Sequence, residues 1–320
     1  MVIDLHSHYV PLGAANEAGV SLRFERLDSG EVRFSSPHQS MTLERQLFDL
    51  EVQAEDARRQ RLDQRILAIP PFLFQYELPA EDGIRWARAM NEGYVAAAKT
   101  DPERFVPFAT LPMQAPEAAI AELERAIEEM GCRGVEIGSN INGVELDDAA
   151  LEPFWERVAA LGVPVLIHPH YIAGADRLEG YYLRNLIGNP TDTAIAGARL
   201  ILSGVLERHP GLKIILSHGG GALPGILGRI LHGYNARPET KAKAHYPATN
   251  AGRIYYDTIV FEPRSLRFLV ESFGASQIIL GTDYPFDMGM EHPVDFVESA
   301  GLSDDDVATI LSNGEALLSD

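Results

Sequence analysis

Two histidines, His6 and His8, stand near the start of the chain and are separated by one residue. They follow the run 2–5 (VIDL), which is typical of a buried strand. Alternate residues of a strand point to the same side, so both imidazoles can reach one ion where the strand ends. An isolated pair of this kind also fits two ordinary polar residues at a strand end. Its interpretation therefore depends on the rest of the chain.

Three further polar residues, His168, His218 and Asp283, each end a predicted strand. Two of these strands contain runs that are apolar without alternation, which is typical of parallel strands buried on both faces. In a closed barrel of such strands, all carboxyl ends converge on one mouth, and the five side chains would share a space. Three neutral imidazoles and a carboxylate suit a first-row divalent ion, Zn²⁺ first, with Mn²⁺ or Fe²⁺ as alternatives. One position on that ion would remain open for water.

Eight β-rich runs alternate with amphipathic helical segments along the chain. The clearest helix is predicted over residues 116–130, where acidic residues lie opposite an apolar face and Gly131 ends it. Eight strands each followed by a helix predict an α/β fold, a (β/α)8 TIM barrel, as a single domain over residues 1–320. A doubly wound open sheet is the alternative, but it usually has a glycine-rich turn where His6-Ser7-His8 stands. The runs cover residues 2–6, 65–69, 105–110, 134–138, 163–168, 213–218, 253–258 and 277–283.

One segment does not fit the repeat of strands and helices. Between the first strand and a helix predicted over residues 42–62, the runs 21–27 and 31–34 flank Asp28-Ser29-Gly30, which is typical of a β-hairpin. This insertion, over about residues 9–42, follows strand one. In a barrel that position lies at the carboxyl ends of the strands, so we expect the insertion to cap the mouth.

The composition excludes some classes of function. The chain has 46 acidic and 27 basic residues and a net charge of -19, which repels nucleic acids and anionic membrane surfaces. No apolar stretch approaches the ~20 residues needed to cross a bilayer. The one cysteine, Cys132, cannot form an internal disulfide and is interpreted as a buried packing residue. With no signal-peptide pattern before residue 6, we expect a cytoplasmic protein.

Several motifs resemble the amidohydrolase superfamily, and in particular the group typified by 2-amino-3-carboxymuconate 6-semialdehyde decarboxylase. The resemblance extends over the whole chain, and its last two motifs are specific to this group. The motifs are IDLHSH at residues 3–8, GVLER at 204–208, SHGGGA at 217–222, GRILHG at 228–233 followed by Arg237-Pro238, and LGTDYPF at 280–286.

The resemblance implies a role for each strand-end residue. It implies that His6, His8, His168 and Asp283 are the metal ligands, and that His218 is the acid/base beside a metal-activated water. Such a water can have a pKa near ~7, and an adjacent imidazole can remove or return a proton near neutral pH. The alternative for His218 is a fourth imidazole ligand. Because Glu136 ends the fourth strand and no lysine stands there, a single-metal site is favoured.

The resemblance also implies substrate-binding residues. It points to Arg45, Arg229 and Arg237, since guanidinium groups bind carboxylates bidentately. In the relatives, the arginines that match Arg229 and Arg237 enter the site of the neighbouring subunit, which implies a homodimer. Their alternative is surface ion pairing. Phe286 would pack against the planar part of the substrate, with a place in the core as its alternative.

Two departures from the group concern the substrate. Asp287 stands where the decarboxylase has a proline, and the loop after His168 carries His170, Tyr181 and Tyr182. An additional carboxylate near the mouth would disfavour a highly anionic substrate. The metal chemistry depends less on these positions than the choice of substrate does.

The leading hypothesis is a metal-dependent non-oxidative decarboxylase of a small unsaturated or aromatic carboxylic acid. The alternative is a metal-dependent hydrolase or hydratase acting on a lactone, amide or activated alkene, in which Asp283 takes the proton. A third hypothesis, a barrel that has lost catalysis and serves binding or assembly, predicts the loss of at least one ligand. All five polar strand-end residues are present, which argues against it.

Overall fold

A sheet of eight parallel strands forms the centre of the molecule. The computed structural model describes residues 1–37, 39–241 and 246–319. Each strand of the sheet pairs with the next one along the chain, and each overlaps one of the eight predicted runs. We label these strands β1 to β8, with bounds Ile3–Asp4, Gln64–Leu67, Phe105–Thr110, Gly134–Gly138, Pro164–His168, Lys213–Leu216, Tyr255–Asp257 and Ile278–Ile279.

Backbone contacts join the end of the sheet to its beginning. The amide of Leu5 donates to the carbonyl of Leu280 over 3.0 Å, and the amide of Thr282 donates to the carbonyl of His6 over 3.2 Å. Just beyond them, Ser7 and Tyr284 form a parallel bridge. The prediction of an α/β TIM barrel is confirmed, and the segments after β1 and β8 meet at its carboxyl end.

Helices connect the strands and pack on the outside of the sheet. The described residues form twelve α-helices, and none of these is long and apolar enough to span a membrane. The helix predicted over 116–130 is α4, which ends at Glu124 and continues as a π-helical turn, Arg125–Glu129. The bounds of α1 to α12 are Leu12–Glu17, Leu50–Arg59, Ala80–Ala98, Pro116–Glu124, Glu152–Leu161, Asn189–Ser203, Val205–Arg208, Leu223–Ala236, Pro247–Ala251, Pro263–Phe273, Pro293–Ser299 and Asp304–Ser319.

The last helix covers the amino end of the barrel. Leu317 and Leu318 of α12 pack in one buried cluster with strand side chains such as Ile66, Phe108 and Leu166. Lys213, the first residue of β6, donates from Nζ to the carbonyl of Leu317. Because this end is filled with apolar side chains, the carboxyl end is where polar side chains can form a site.

Cys132 lies just before β4 and is buried in the main apolar core. It is 2% exposed, and burial raises the pKa of its thiol to about 12. The thiol therefore stays neutral and serves as a small packing residue, because it is the thiolate that reacts.

The segment between β1 and β2 forms a separate antiparallel sheet of three strands, Arg23–Arg26, Val32–Ser35 and Ser40–Leu43. The first two strands lie where the hairpin is predicted, with Phe24 opposite Phe34. The third strand shows that the helix predicted over 42–62 is wrong at its start. That helix begins at Leu50, because the Asp49 side chain accepts hydrogen bonds from the backbone amides of Glu51 and Val52 and caps it there.

Candidate metal centre

The metal-ligand candidates meet at the carboxyl end of the barrel. His6 and His8 follow β1, His168 is the last residue of β5, and Asp283 follows β8. One possible ligand atom from each of the four lies within 4.8 Å of those of the others. All four residues are buried, at 0% to 4% exposed. Residues more than 270 positions apart in the chain, such as His8 and Asp283, are thus brought together by closure of the barrel.

One oxygen of Asp283 is the common point of this cluster. The Nε2 atoms of His6, His8 and His168 lie 3.3, 3.1 and 3.9 Å from Asp283 Oδ1. Burial acts to raise the pKa of the Asp283 carboxyl, but its contacts with the four surrounding histidines hold it well below its usual range. The carboxylate therefore stays ionised at the centre of three imidazoles, which is the ionic form that binds a metal.

The other ring nitrogen of each histidine faces outward to an acceptor. His8 Nδ1 lies 2.9 Å from the carbonyl of Ile69, and His168 Nδ1 lies 3.1 Å from the carbonyl of Pro169. His6 Nδ1 lies 2.7 Å from Oδ2 of Asp257. A carbonyl or carboxylate acceptor fixes the proton on Nδ1, so each Nε2 presents a lone pair to the centre.

Two observations show that these residues fit a divalent cation. His6 Nε2 and His168 Nε2 are buried and have no hydrogen-bond donor or acceptor paired with them, as expected for atoms that coordinate an ion. Although burial acts to lower it, the nearby carboxylates of Asp257 and Asp283 raise the pKa of His6 well above its usual value. The two carboxylates thus favour positive charge at this point, which a divalent ion would supply.

His218 lies beside the cluster and outside the group of four. Its Nε2 is 3.4 Å from Oδ2 of Asp283, the oxygen that the three ligand histidines do not share. The side chain is 15% exposed, whereas the four candidate ligands are almost fully enclosed. This position, adjacent to the cluster and open on one side, is that of a group able to exchange a proton with a bound molecule.

Glu136 lies beneath the cluster on β4. Its Oε2 is 3.7 Å from His8 Nδ1, and neither carboxyl oxygen has a hydrogen-bond partner. Burial raises the pKa of this carboxyl well above its usual range, which favours its neutral form. A neutral carboxyl at this position is a poor bridging ligand, in keeping with the single group of metal-ligating side chains found among the described residues.

Two cavities open next to the cluster. One of about 460 Å³ is lined by His218 and Asp283 together with apolar side chains, among them Ile259, Phe261 and Phe268. The other, of about 550 Å³, is lined by His168, His170 and Arg184. A small organic molecule fits either space, and both border the candidate metal ligands.

The predicted substrate-binding residues differ in their distance from the cluster. The Phe286 ring lies 5.0 Å from the ring of His8 and is half-buried. Arg45 is exposed, forms an ion pair with Asp49, and lines neither cavity. Arg229 and Arg237 are also exposed, on α8 and directly after it, and Arg237 pairs with Glu239. The single chain therefore brings Phe286, but none of the three arginines, to the cluster.

The loop after His168 is held by a buried polar network that no sequence motif indicated. Asp192 of α6 accepts hydrogen bonds from the Ser139 hydroxyl, the Asn140 amide and the backbone of Ala173. Ser139 Oγ also accepts from the amide of His170. His170 packs edge-on against the rings of Phe74 and Tyr76, and burial lowers its pKa to about 4. This loop therefore has a defined path beside the metal cluster.

Two more residues near the cluster were missed from the sequence. Asp257, the last residue of β7, bonds His6, and its signal was an acidic residue inside the run 253–258. Arg184 lines the cavity that His168 borders, and no local pattern distinguished it from other surface arginines. Tyr182 and Asp287, the two departures at the mouth, bond each other over 3.1 Å.

A TIM barrel with three histidines and an aspartate at its strand ends defines a class of metal-dependent enzymes. The chain belongs to this class as a member of the amidohydrolase family, whose sequence profile matches residues 3–313. Within the family it groups with enzymes that release CO₂, as its motifs predicted.

Named relatives make this grouping specific. The chain is 37% identical over 272 residues to 2-amino-3-carboxymuconate-6-semialdehyde decarboxylase of Dictyostelium discoideum, covering 84% of this chain and 76% of the relative. It is 34% identical over 244 residues to gamma-resorcylate decarboxylase of Polaromonas sp., covering 69% and 72%. A crystal structure of dihydroxybenzoic acid decarboxylase from Polaromonas sp., with bound manganese and 2-nitroresorcinol, aligns at a TM-score of 0.83 and 26% identity. That alignment covers 99% of this chain and 96% of the other.

Proposed function

We propose that this chain is a metal-dependent non-oxidative decarboxylase of a small unsaturated or aromatic carboxylic acid. The observation that carries the proposal is the convergence of three Nε2 atoms on Asp283 Oδ1, with His218 on the other oxygen of the same carboxylate. This arrangement provides a cation site and a proton-transfer group within one mouth. The relatives named as decarboxylases support the choice of reaction.

His6, His8, His168 and Asp283 would hold the divalent ion, with Zn²⁺ first and Mn²⁺ or Fe²⁺ as alternatives. Nitrogen-rich sites favour Zn²⁺, while the manganese in the Polaromonas structure supports Mn²⁺. When bound, such an ion supplies positive charge that polarises substrate oxygens or acidifies a water molecule. The outward bonds from Nδ1 of each histidine keep the three rings turned toward it.

The proposed proton donor is His218. Decarboxylation needs a proton on the carbon that carries the carboxylate. The bond between that carbon and the carboxylate then breaks, and its electron pair returns to the ring or diene as CO₂ leaves. Asp283 Oδ2, 3.4 Å from His218 Nε2, would orient the imidazole toward the substrate. Phe286, next to His8, would pack on the flat face of the substrate.

The substrate carboxylate needs a cation, and two sources are proposed. Arg229 and Arg237 are exposed on and after α8, where they can enter the mouth of a second copy in a homodimer. Exposed apolar side chains support such an interface, because Ile226 shares α8 with Arg229, and Leu186 and Phe268 line the adjacent cavity. Arg45 would join them only by leaving its ion pair with Asp49.

The second source lies within the chain. Arg184 lines the cavity that His168 borders, and in the described residues no carboxylate holds it as Asp49 holds Arg45. A guanidinium at that position can bind a carboxylate bidentately while the apolar cavity beside His218 accepts the hydrocarbon part of the acid.

The sheet over residues 23–43 is proposed to cap the mouth. A series of ring contacts supports this, since Phe34 of the sheet packs on Phe72, and Phe72 packs on Phe286. The cap would reduce access of water to the site. A cytoplasmic location also remains a proposal, and it rests on the single cysteine.

Release of CO₂ tests the proposal. The metal-loaded protein is incubated with a panel of small unsaturated and aromatic acids, and CO₂ is followed together with loss of substrate absorbance. The expected result is CO₂ formation that stops when a chelator removes the metal. The alternative, a hydrolase or hydratase, is favoured by the same proximity of Asp283 to an acid/base histidine. Turnover of lactones, amides or alkenes without any CO₂ would establish that alternative.

A further inference from the structure

We propose that Asp257 is a positioning residue that sets the metal-binding tautomer of His6 and the orientation of His218 at the same time. The inference rests on the proposed metal site and adds a residue to it. Asp257 is the last residue of β7 and is fully buried. It touches neither the substrate cavities nor the centre of the cluster, so its action passes through the two histidines.

Each oxygen of Asp257 accepts two hydrogen bonds. Oδ2 lies 2.7 Å from His6 Nδ1 and 2.9 Å from the backbone amide of His218. Oδ1 lies 2.7 Å from the amide of Gly219 and 3.1 Å from the amide of Ile259. One carboxylate thus joins His6, the candidate ligand just after β1, to the turn that carries the candidate acid/base.

The bond to His6 decides which ring nitrogen is free. An ionised carboxylate accepts hydrogen bonds only, so in the neutral, metal-binding form of His6 the proton lies on Nδ1 and Nε2 presents its lone pair to the centre. For His8 and His168 the same task falls to backbone carbonyls, which no substitution removes directly. His6 is therefore the ligand whose tautomer depends on a side chain.

The bonds to the turn hold His218 in an uncommon backbone conformation. His218 has φ of +56° and Gly219 has φ of +60°, a region that costs energy for a residue with a side chain. Asp257 accepts from both amides of this turn. Without these acceptors the turn loses two charge-assisted hydrogen bonds, and the imidazole loses its alignment with Asp283 Oδ2.

The substitution Asp257→Asn changes one atom and reverses this pattern. With its oxygen toward Gly219 and Ile259, the new amide directs its NH₂ group at His6 Nδ1 and at the amide of His218. The first contact favours the tautomer with the proton on Nε2, and the second places two donors against each other. We expect metal affinity to fall by about 10- to 100-fold, the range for lost partners of metal-bound histidines.

Three readouts separate positioning from general instability. The metal Kd is measured by competition with a chelator, and the visible spectrum of the Co²⁺-loaded protein reports the coordination geometry. At saturating metal, kcat is expected to fall with KM unchanged, because His218 is displaced while the cavities are intact. Glu122→Gln is the matched control, since Glu122 is an equally buried carboxylate that bonds Asn91 and Arg125 far along the chain from any ligand. This control is expected to change thermal stability alone.

A measurement on the unmutated protein keeps the proposal testable if Asp257→Asn does not fold. Nitrogen-15 NMR of histidine-labelled, Zn²⁺-loaded protein assigns the proton of His6, which is expected on Nδ1. Coordination of His6 through Nδ1, or an Asp257→Asn variant with unchanged metal Kd and Co²⁺ spectrum, would overturn the role of Asp257. Failure of the unmutated protein to bind any metal would instead refute the proposed function, so the two failures are distinguishable.

Discussion

The floor of the mouth and its rim are built in different ways. On the floor, His6, His8, His168 and Asp283 are at most 4% exposed, and each histidine has its outer nitrogen bonded to a fixed acceptor. Arg45 and Arg237, which are predicted to serve the rim, have side chains that are 61% and 67% exposed and are paired with acids on the surface. The four candidate ligands thus meet within one chain, whereas the proposed substrate contacts of the rim depend on a loop or on a second copy in the proposed dimer.

Loss of a floor residue is expected to have the largest effect. Replacing His168 or Asp283 by alanine removes a proposed ligand, and metal affinity should fall by more than the ~100-fold expected for lost hydrogen-bond partners of metal-bound histidines. Metal content after dialysis, measured by elemental analysis, checks this. His209→Ala is the control, because His209 pairs with Glu152 outside the cluster. Unchanged metal content in both ligand variants would place the metal elsewhere.

The His218→Ala variant tests whether His218 is an acid/base at the rim or a metal ligand on the floor. As an acid/base beside the cluster, its loss should lower kcat by about 10²- to 10⁴-fold while metal content is retained. Steady-state kinetics and metal analysis on the same sample test this. A loss of metal equal to that of Asp283→Ala would instead make His218 a fourth imidazole ligand.

Subunit mixing tests whether Arg229 of one chain completes the site of a second chain in the proposed dimer. Arg229→Ala and His218→Ala variants are each expected to be weakly active. Mixed under conditions of subunit exchange, they should regain up to about a quarter of wild-type activity, since half the dimers are mixed and each then has one complete site. No recovery, with exchange demonstrated by mass spectrometry, would contradict the proposed role of Arg229 across the interface.

Arg184→Ala tests the rim contact within the chain and is expected to have the smallest effect. Loss of one charge-assisted hydrogen bond to a substrate carboxylate should raise KM by about tenfold with little change in kcat. Arg177→Ala is the matched control, because Arg177 is an exposed arginine of the same loop that lines neither cavity. Equal KM values for the two variants would remove Arg184 from substrate binding.

The same division explains what could be predicted from sequence. Strand ends of a barrel converge by geometry, so a polar residue that ends an apolar run, such as His168 or Asp283, could be assigned to the floor. Asp257 also stands at a strand end, but it was not predicted as a site residue. Its run contains two tyrosines and has the pattern of an ordinary strand. The start of the helix at Leu50 was missed because the cap formed by Asp49 competes with a longer periodic pattern.

The rim could not be predicted in the same way. The position of Arg184 depends on the path of a loop that is held by a buried network around Asp192, and no local spacing encodes that path. Arg229 depends on a surface outside its own chain in the proposed dimer. Helix propensity and periodicity place these residues on elements, but they do not determine what an exposed side chain contacts.

Cys132 has a practical consequence for studying this protein. Because its thiol is buried and has a pKa raised to about 12, we expect Cys132 to be unreactive toward thiol-directed reagents in the folded state. A cysteine introduced at an exposed position such as Tyr181 would therefore react alone with a fluorophore or spin label. Probes for distance measurements can therefore be attached to introduced cysteines without first replacing Cys132.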